Sequence, residues 1–545
     1  MEKLSYNKTF HKRTFLTLLL ILFFIWSLFS VNWGSELIHS GGKSTMLQIL
    51  NALFHPDLSP KIIKLGFIAA WRTLAYAVSG MTLAIVFAFI FGVLASGILA
   101  NNNNSRLFTK TIFRSLLGFM RAIHELVWAW LFVASVGLSP YAAIFALAIP
   151  YGGTLGRIYA DILSDVPKEP ILALKTSGAS KLQLLFYGYL PLAKNDMISY
   201  TMYRFECAVR SSTIMSFVGL GGLGYQIQLS LQDLRYNEVW TFMFFLTALV
   251  FLIDLWSNLL RKALSDSKSK HKFNIIHFSF LSTVLLVIIC WLFIIKVDKA
   301  DFWGLFSEKN MRYSKKFLGG LMGESEKTPA FMDAESWKTA LKLTYETVQM
   351  SVMAIGFAAI GMFLTVIPAA RNVANGSLTL TKTWYSKLLF LMIRFLYIFT
   401  RAVPELVWAM IIIFIFKPGI LPGAIALSLH NFGILGKLCA EVVEDLDMLP
   451  IRNLASCGAN KGQLLIYGVI PMAMPKFLSY IVYRFEVILR TTIVVGFVGA
   501  GGLGQQFKLS MSFFHYSDIT LILICYLFLV LLSDLISEGS RIASR

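Results

Sequence analysis

The sequence predicts an all-α polytopic membrane protein built from two tandem six-helix halves. Three observations predict it: the composition, a series of about twelve apolar runs, and an internal repeat. Of 545 residues, 57% are hydrophobic and only 14% charged, with a mean hydropathy of +0.67. A soluble domain is nearer to about one quarter charged, so this chain lacks the polar surface to cover itself in water. The repeat is clearest between 171–230 and 451–510, which are related by adding 280 to each number. Over 201–230 and its partner, 15 of 30 residues are identical without a gap.

The elements follow in order. The run 14–31 is too long for a signal-peptide core and lacks a small-residue cleavage site after it, so it is expected to be an uncleaved anchor. A polar outer segment, 32–64, precedes the second span within 65–96. A polar loop carrying Arg106, Lys110 and Arg114 comes next. The third to sixth spans are expected at 115–136, 141–162, 192–218 and 240–260, with a polar segment, 164–189, before the fifth. The basic linker 261–272 divides the chain into halves 1–272 and 273–545. The second half repeats the plan with spans at 275–295, 344–369, 388–416, 421–439, 472–498 and 519–536. Each run approaches the roughly 20 residues that cross a hydrocarbon core.

Charge sets the expected orientation. The net charge of +19 gathers in the N-terminal tail, in alternate loops (Arg371, Lys382 and Lys387 among them) and at the C-terminus. Lys and Arg accumulate in cytoplasmic loops, so both termini are expected in the cytoplasm and no nucleic-acid partner is. Six spans per half make the repeats parallel. The five cysteines, Cys207, Cys290, Cys439, Cys457 and Cys525, have no paired metal-ligand spacing and predict neither disulfides nor a metal site.

The polar segment before the fifth span is the sharpest motif. Gly178-Ala179-Ser180 leads to Pro191 as Gly458-Ala459-Asn460 leads to Pro471, with identical separation. Each reads as a helix, a glycine break, a second short helix and a proline opening the next span, which together form a rigid elbow within 164–190 and 444–470. Within the spans, Arg121 and Glu125 recur as Arg401 and Glu405. Arg204, Glu206 and Arg210 recur as Arg484, Glu486 and Arg490. Charges in a membrane face the bundle interior, a cavity or each other. Two readings stay open: Glu–Arg pairs four apart that clasp helices, or arginines lining an anion path. Trp128, Trp130 and Trp408 read as interfacial or packing residues. His124 faces Pro404 across the repeat, which implies that the second half needs no imidazole.

Gly219, Gly221, Gly222 and Gly224 recur as Gly499, Gly501, Gly502 and Gly504. A membrane helix precedes each set, so a nucleotide cradle is a poor match. A tight outer turn with several positive φ angles fits better. No G-x-x-x-x-G-K-[ST] occurs; near Lys327 the glycine is replaced by Glu326. The chain therefore has no ATP site of that kind, and any ATP and magnesium belong on other subunits.

The elbow resembles the coupling loop of ABC importer permeases, the "EAA" loop, which docks on the cytoplasmic ATPase. The phrases at 121–133 and 401–413, with FVGLGGLGYQI and FVGAGGLGQQF after the fifth spans, resemble the phosphonate-type oxyanion branch. The resemblance implies the type I (MetI-like) permease fold. It implies two fused permease copies in a bacterial inner membrane, partnered by two ATPase subunits and one extracytoplasmic solute-binding protein. The cargo it implies is phosphonate, phosphate or phosphite. The glycine turn would lie near the binding-protein dock. The chain departs from the pattern at Leu172 and Arg452, where the family has glutamate, and at Asn453, where it has the alanine that Ala173 supplies. An ion-coupled secondary transporter and a non-transporting docking protein are the alternatives from other classes. The outer segment of the second half, 300–338, is longer than 32–64 and is expected to orient the asymmetric binding protein.

Overall fold

The computed structural model describes all residues except 1, 32, 34–36, 217, 218, 220, 266–271, 325, 379–383 and 545. Lys382 and half of the basic linker fall outside the described residues. The described chain is helical, with one isolated antiparallel bridge between Ile38 and Phe416. In order the helices are α1 (Glu2–Leu28), α2 (Gly42–Phe54), α3 (Pro60–Ser96), α4 (Asn103–Ala122), α5 (Glu125–Val136), α6 (Pro140–Ser164), α7 (Lys168–Thr176), α8 (Lys181–Gln183), α9 (Leu190–Met215), α10 (Leu223–Gln232), α11 (Tyr236–Ser265) and α12 (Lys272–Lys296). The second half continues with α13 (Glu308–Leu321), α14 (Ala334–Thr365), α15 (Arg371–Ala374), α16 (Trp384–Ala402), α17 (Glu405–Ile413), α18 (Ile420–Glu444), α19 (Met448–Ser456), α20 (Lys461–Gln463), α21 (Ile470–Gly496), α22 (Gly502–Ser512) and α23 (Tyr516–Ser544).

A helix stands at each of the twelve expected spans. Among the described residues, seven are long and apolar enough by themselves to cross a membrane, or nine if each bent pair counts once. Charges explain some of the shortfall: α9 carries Lys194, Asp196, Arg204, Glu206 and Arg210, and α6 carries Arg157 and Asp161.

Two expectations need correction. The third span and its repeat are not straight. α4 meets α5 at 87° and α16 meets α17 at 91°. At the first break Ile123 is extended and the His124 ring caps α5, its Nδ1 accepting from the Leu126 amide at 3.2 Å. At the second, Pro404 is the capping residue, and proline cannot continue a preceding helix. The polar loop after the second span is also largely helix: 103–114 is the amphipathic first part of α4.

The chain forms two compact units, Asn51–Gly319 and Met1–Leu50 with Gly320–Arg545. The division between repeats at 272 is therefore not the packing boundary. α12 packs in the first unit on α3 and α11, with Trp71 edge-on to Phe293 at 6.3 Å and Trp256 Nε1 donating to Ser279 Oγ at 3.3 Å. α1 packs in the second unit on α14 and α23, with Phe24 against Gly356 and Trp26 edge-on to Tyr345 at 5.4 Å.

Small residues build the centre of each unit. In the first, α3 and α6 meet along buried alanines and glycines. A Cβ on Gly92 would lie 2.8 Å from the Gly156 carbonyl oxygen, so the backbones touch. Close approach through small residues is how membrane helices gain packing energy where lipid removes the hydrophobic drive. In the second unit α14 and α18 meet likewise, Gly361 lying against Phe432.

Candidate functional site: elbows, clasps and glycine turns

Each elbow is a helix, a left-handed glycine and a capped second helix. α7 ends at Thr176, Gly178 takes φ +84°, and Ser180 forms a capping box with Gln183. α19 ends at Ser456, Gly458 takes φ +85°, and Asn460 forms the same box with Gln463. Ala179 and Ala459 send their amides back to the carbonyls of Leu174 and Leu454, both at 3.2 Å. These bonds close the turn and satisfy the end of the first helix.

The second short helix does not end before the proline: the chain widens into a π turn, 184–189 and 464–469, and runs on into α9 and α21. Pro191 and Pro471 lack an amide donor, and a widened turn just before them accommodates the missing bond. Gly188 packs against Ile171 and Leu174, where a Cβ would meet Ile171 Cδ1 at 2.8 Å. The outward face is apolar: Leu172, Phe186 and Tyr187 are exposed in one elbow, and Leu449, Ile466 and Tyr467 in the other. Leu172 thus belongs to an exposed hydrophobic surface at the position where the resemblance implies glutamate.

The charges separate into two groups. Arg121 and Glu125 do not share a helix face, because the α4–α5 break lies between them, and the same holds for Arg401 and Glu405. The glutamates instead meet imidazoles. Glu125 lies 3.5 Å from His124 and accepts from Ser211 Oγ, which also bonds Tyr151 at 2.8 Å. Glu405 lies 3.5 Å from His430 on α18, whose Nδ1 is 2.9 Å from the Val403 carbonyl. The inference that the second half dispenses with an imidazole is therefore corrected. His430 supplies it from elsewhere in the sequence, which position-by-position matching does not detect.

The second group joins the fifth and sixth spans. Glu206 on α9 pairs with Arg261 on α11 at 3.1 Å and faces Asp254 and Ser257. Arg210 turns back along its own helix, with Nε 3.4 Å from the Glu206 carbonyl oxygen. In the second half Arg490 pairs with both Glu486 and Asp534, the latter at 2.8 Å, and Glu486 also faces Ser537. Arg204 lies over the Tyr203 ring, 5.5 Å from its centre, and Arg484 Nε donates to Asn431 at 2.9 Å. Asp254 and Asp534 were missed in the sequence, although the 280-residue offset connects them as it connects Ser257 with Ser537. Glu206–Arg261 thus ties α9 to α11, and Arg490–Asp534 ties α21 to α23.

The glycine turns are anchored by threonines, also unforeseen. Gly219, Gly221 and Gly222 have φ of +93°, +76° and +104°; Gly499, Gly501 and Gly502 have +96°, +86° and +66°. Thr73 Oγ1 on α3 accepts the Leu223 amide at 2.9 Å, and Thr347 on α14 accepts the Leu503 amide at 3.0 Å. These bonds satisfy the first amides of α10 and α22. Gly224 and Gly504 lie inside those helices, and Gly504 backs directly onto Ile493 of α21, leaving no room for a side chain. Leu220, with Phe217 and Val218, lies outside the described residues.

The family model for the binding-protein-dependent transport system inner membrane component matches residues 88–270 and 372–541, more than half of the chain. Phosphate-import permease protein PhnE of Mycolicibacterium smegmatis is 26% identical over 85% of this chain and 82% of its own length. Putative phosphite transport system permease protein HtxC of Stutzerimonas stutzeri is 30% identical over 47% of this chain and 89% of its own. A solved structure of the MetNI methionine ABC transporter in an inward-facing conformation is 20% identical, covers 38% of this chain and 100% of that one, and has a TM-score of 0.35.

Proposed function

The chain belongs to the family of binding-protein-dependent transport system inner membrane components, and from that premise we propose that it is the complete transmembrane part of an importer in one polypeptide. It is a permease of an ATP-binding cassette importer, multi-pass in the inner membrane. Each elbow receives one of two ATPase subunits, and one solute-binding protein delivers cargo at the opposite face. The cargo is phosphonate or a related oxyanion, phosphate or phosphite, in keeping with the names of its relatives. Both termini lie in the cytoplasm by the distribution of Lys and Arg.

The observation that carries this reading is the duplicated elbow. Two separate sequences build the same turn, the same capping box and the same π-turn continuation. Because the helix of each elbow runs without a break into the fifth span, force on the elbow reaches the bundle through rigid helix. Closing two ATPases on ATP would move both elbows and rock the halves about a central path. The chain then needs no ATP site of its own.

Uptake of radiolabelled phosphite and phosphonate into proteoliposomes holding the chain, its ATPase and its binding protein tests this. Accumulation that requires ATP and the binding protein is the expected result. Accumulation driven by a proton gradient without ATP would instead indicate a secondary transporter.

A further inference from the structure

The two halves differ at one charged position beside the glycine turn. On α3 the run Trp71-Arg72-Thr73 matches Tyr345-Glu346-Thr347 on α14 in structure: each threonine holds its glycine turn, and each aromatic ring packs edge-on against the helix that opens the other half of the sequence. The residue between them is basic in one half and acidic in the other.

In the first unit that charge is neutralised. Arg72 Nη2 lies 2.8 Å from Asp298, which also accepts from Tyr76 at 3.0 Å. Asp298 comes five residues after Phe293, the ring facing Trp71. The matching position, five residues after Trp26, is Val31. The second unit therefore has no acid or base at the neutralising position. Glu346 has no hydrogen-bond or ion-pair partner among the described residues. In place of a clasp there is a cleft of about 430 Å³ lined by Val31, Leu37, Glu346, Lys417, Pro418 and Gly501, among others. Lys417 is on its wall, but no ion pair joins it to Glu346 among the described residues. The cleft is preformed: the Ile38–Phe416 bridge and the Lys417 amide bonding the Leu37 carbonyl at 2.9 Å fix two walls to each other.

We infer that this cleft receives a lysine or arginine side chain of the extracytoplasmic solute-binding protein, with Glu346 as its counter-ion. The inference rests on the proposed function, which puts the glycine-turn end at the outer face. Its space exceeds the roughly 30 Å³ that one water occupies in the liquid and suits a long side chain with its solvent. The carboxylate is half-buried beside apolar walls, and a cation from a partner would compensate it as Asp298 compensates Arg72. With the charge at the sister position neutralised by Asp298, a single partner would meet the permease in one orientation.

The test is docking of the purified binding protein to the full complex in nanodiscs, at two salt concentrations. Glu346→Gln should weaken docking about tenfold and flatten its salt dependence, since a charge at an interface sets both. Glu346→Lys should weaken it further, whereas Glu346→Asp should stay near wild type. Carbodiimide treatment of the docked wild-type complex should join Glu346 to a lysine of the binding protein as an amide, with loss of water, if the partner cation is lysine. Co-purification of the ATPase reports that each variant is folded. Docking by the wild type with equal affinity for Glu346→Gln and Glu346→Lys would overturn this inference and leave the proposed function standing. Failure of the wild type to dock any binding protein would instead overturn the proposed function.

Discussion

Arg490 shows what a single charge does inside the bundle. It sits between Glu486 and Asp534 with little exposure, so removing it takes a shared counter-charge from two carboxylates. Arg490→Ala should cost about 3–5 kcal/mol, the usual penalty for breaking a buried pair from one side. Replacing all three residues by leucine should leave the thermal midpoint in detergent nearer to wild type; equal losses would contradict the clasp. His430 carries a second prediction. His430→Ala leaves Glu405 without its imidazole and should destabilise by about 1–3 kcal/mol. Pro404→His in that background places an imidazole where His124 stands in the first half, and it should recover part of the lost stability, read as the thermal midpoint in detergent. At the start of α14, Asp333 accepts from both the hydroxyl and the amide of Ser336, which hold its carboxyl below the usual carboxylate range. The depressed value makes the cap fully effective above the unfolded value of about 3.9 and lost only as pH falls through the lower folded value. Amide exchange at the first turn of α14 should therefore stay slow at pH 5 and quicken in stronger acid; quickening already at pH 5 would rule the cap out.

The elbow is the element whose conformation most directly bears on function. Gly178 and Gly458 are left-handed, and a Cβ on either would meet nothing within 4 Å. Substitution therefore acts through backbone strain alone, about 1–2 kcal/mol for an ordinary residue in that region. Gly178→Val and Gly458→Val should each reduce binding-protein-stimulated ATP hydrolysis, and asparagine at either position should do so less. Full stimulation in both valine variants would show that the turn's shape is not what couples. The elbow was legible in the sequence because its glycine, its cap and its proline are local signals repeated at a fixed offset. The π turn was not, because 184–189 carries no local signal for it, and the packing of Ile171 and Leu174 on Gly188 appears only in the fold. The bent third span was hidden for a related reason. His124 and Ile123 carry no strong breaker signal, and only Pro404 in the second copy marks the site.

At the scale of the molecule, the repeat legible at 280 residues describes ancestry better than packing. α1 and α12 are apolar over most of their length, so their own sequence gives no partner. Their places in the two units follow from aromatic contacts with Tyr345 and Trp71 that no local pattern reveals. The repeat does place two elbows, two clasps and two glycine turns in one chain. Native mass spectrometry of the detergent-purified complex, with its ATPase co-expressed, tests what that doubling implies. One copy of this chain with two ATPase subunits is the expected result. Two copies of the chain around an ATPase pair, or one copy with a single ATPase, would contradict it.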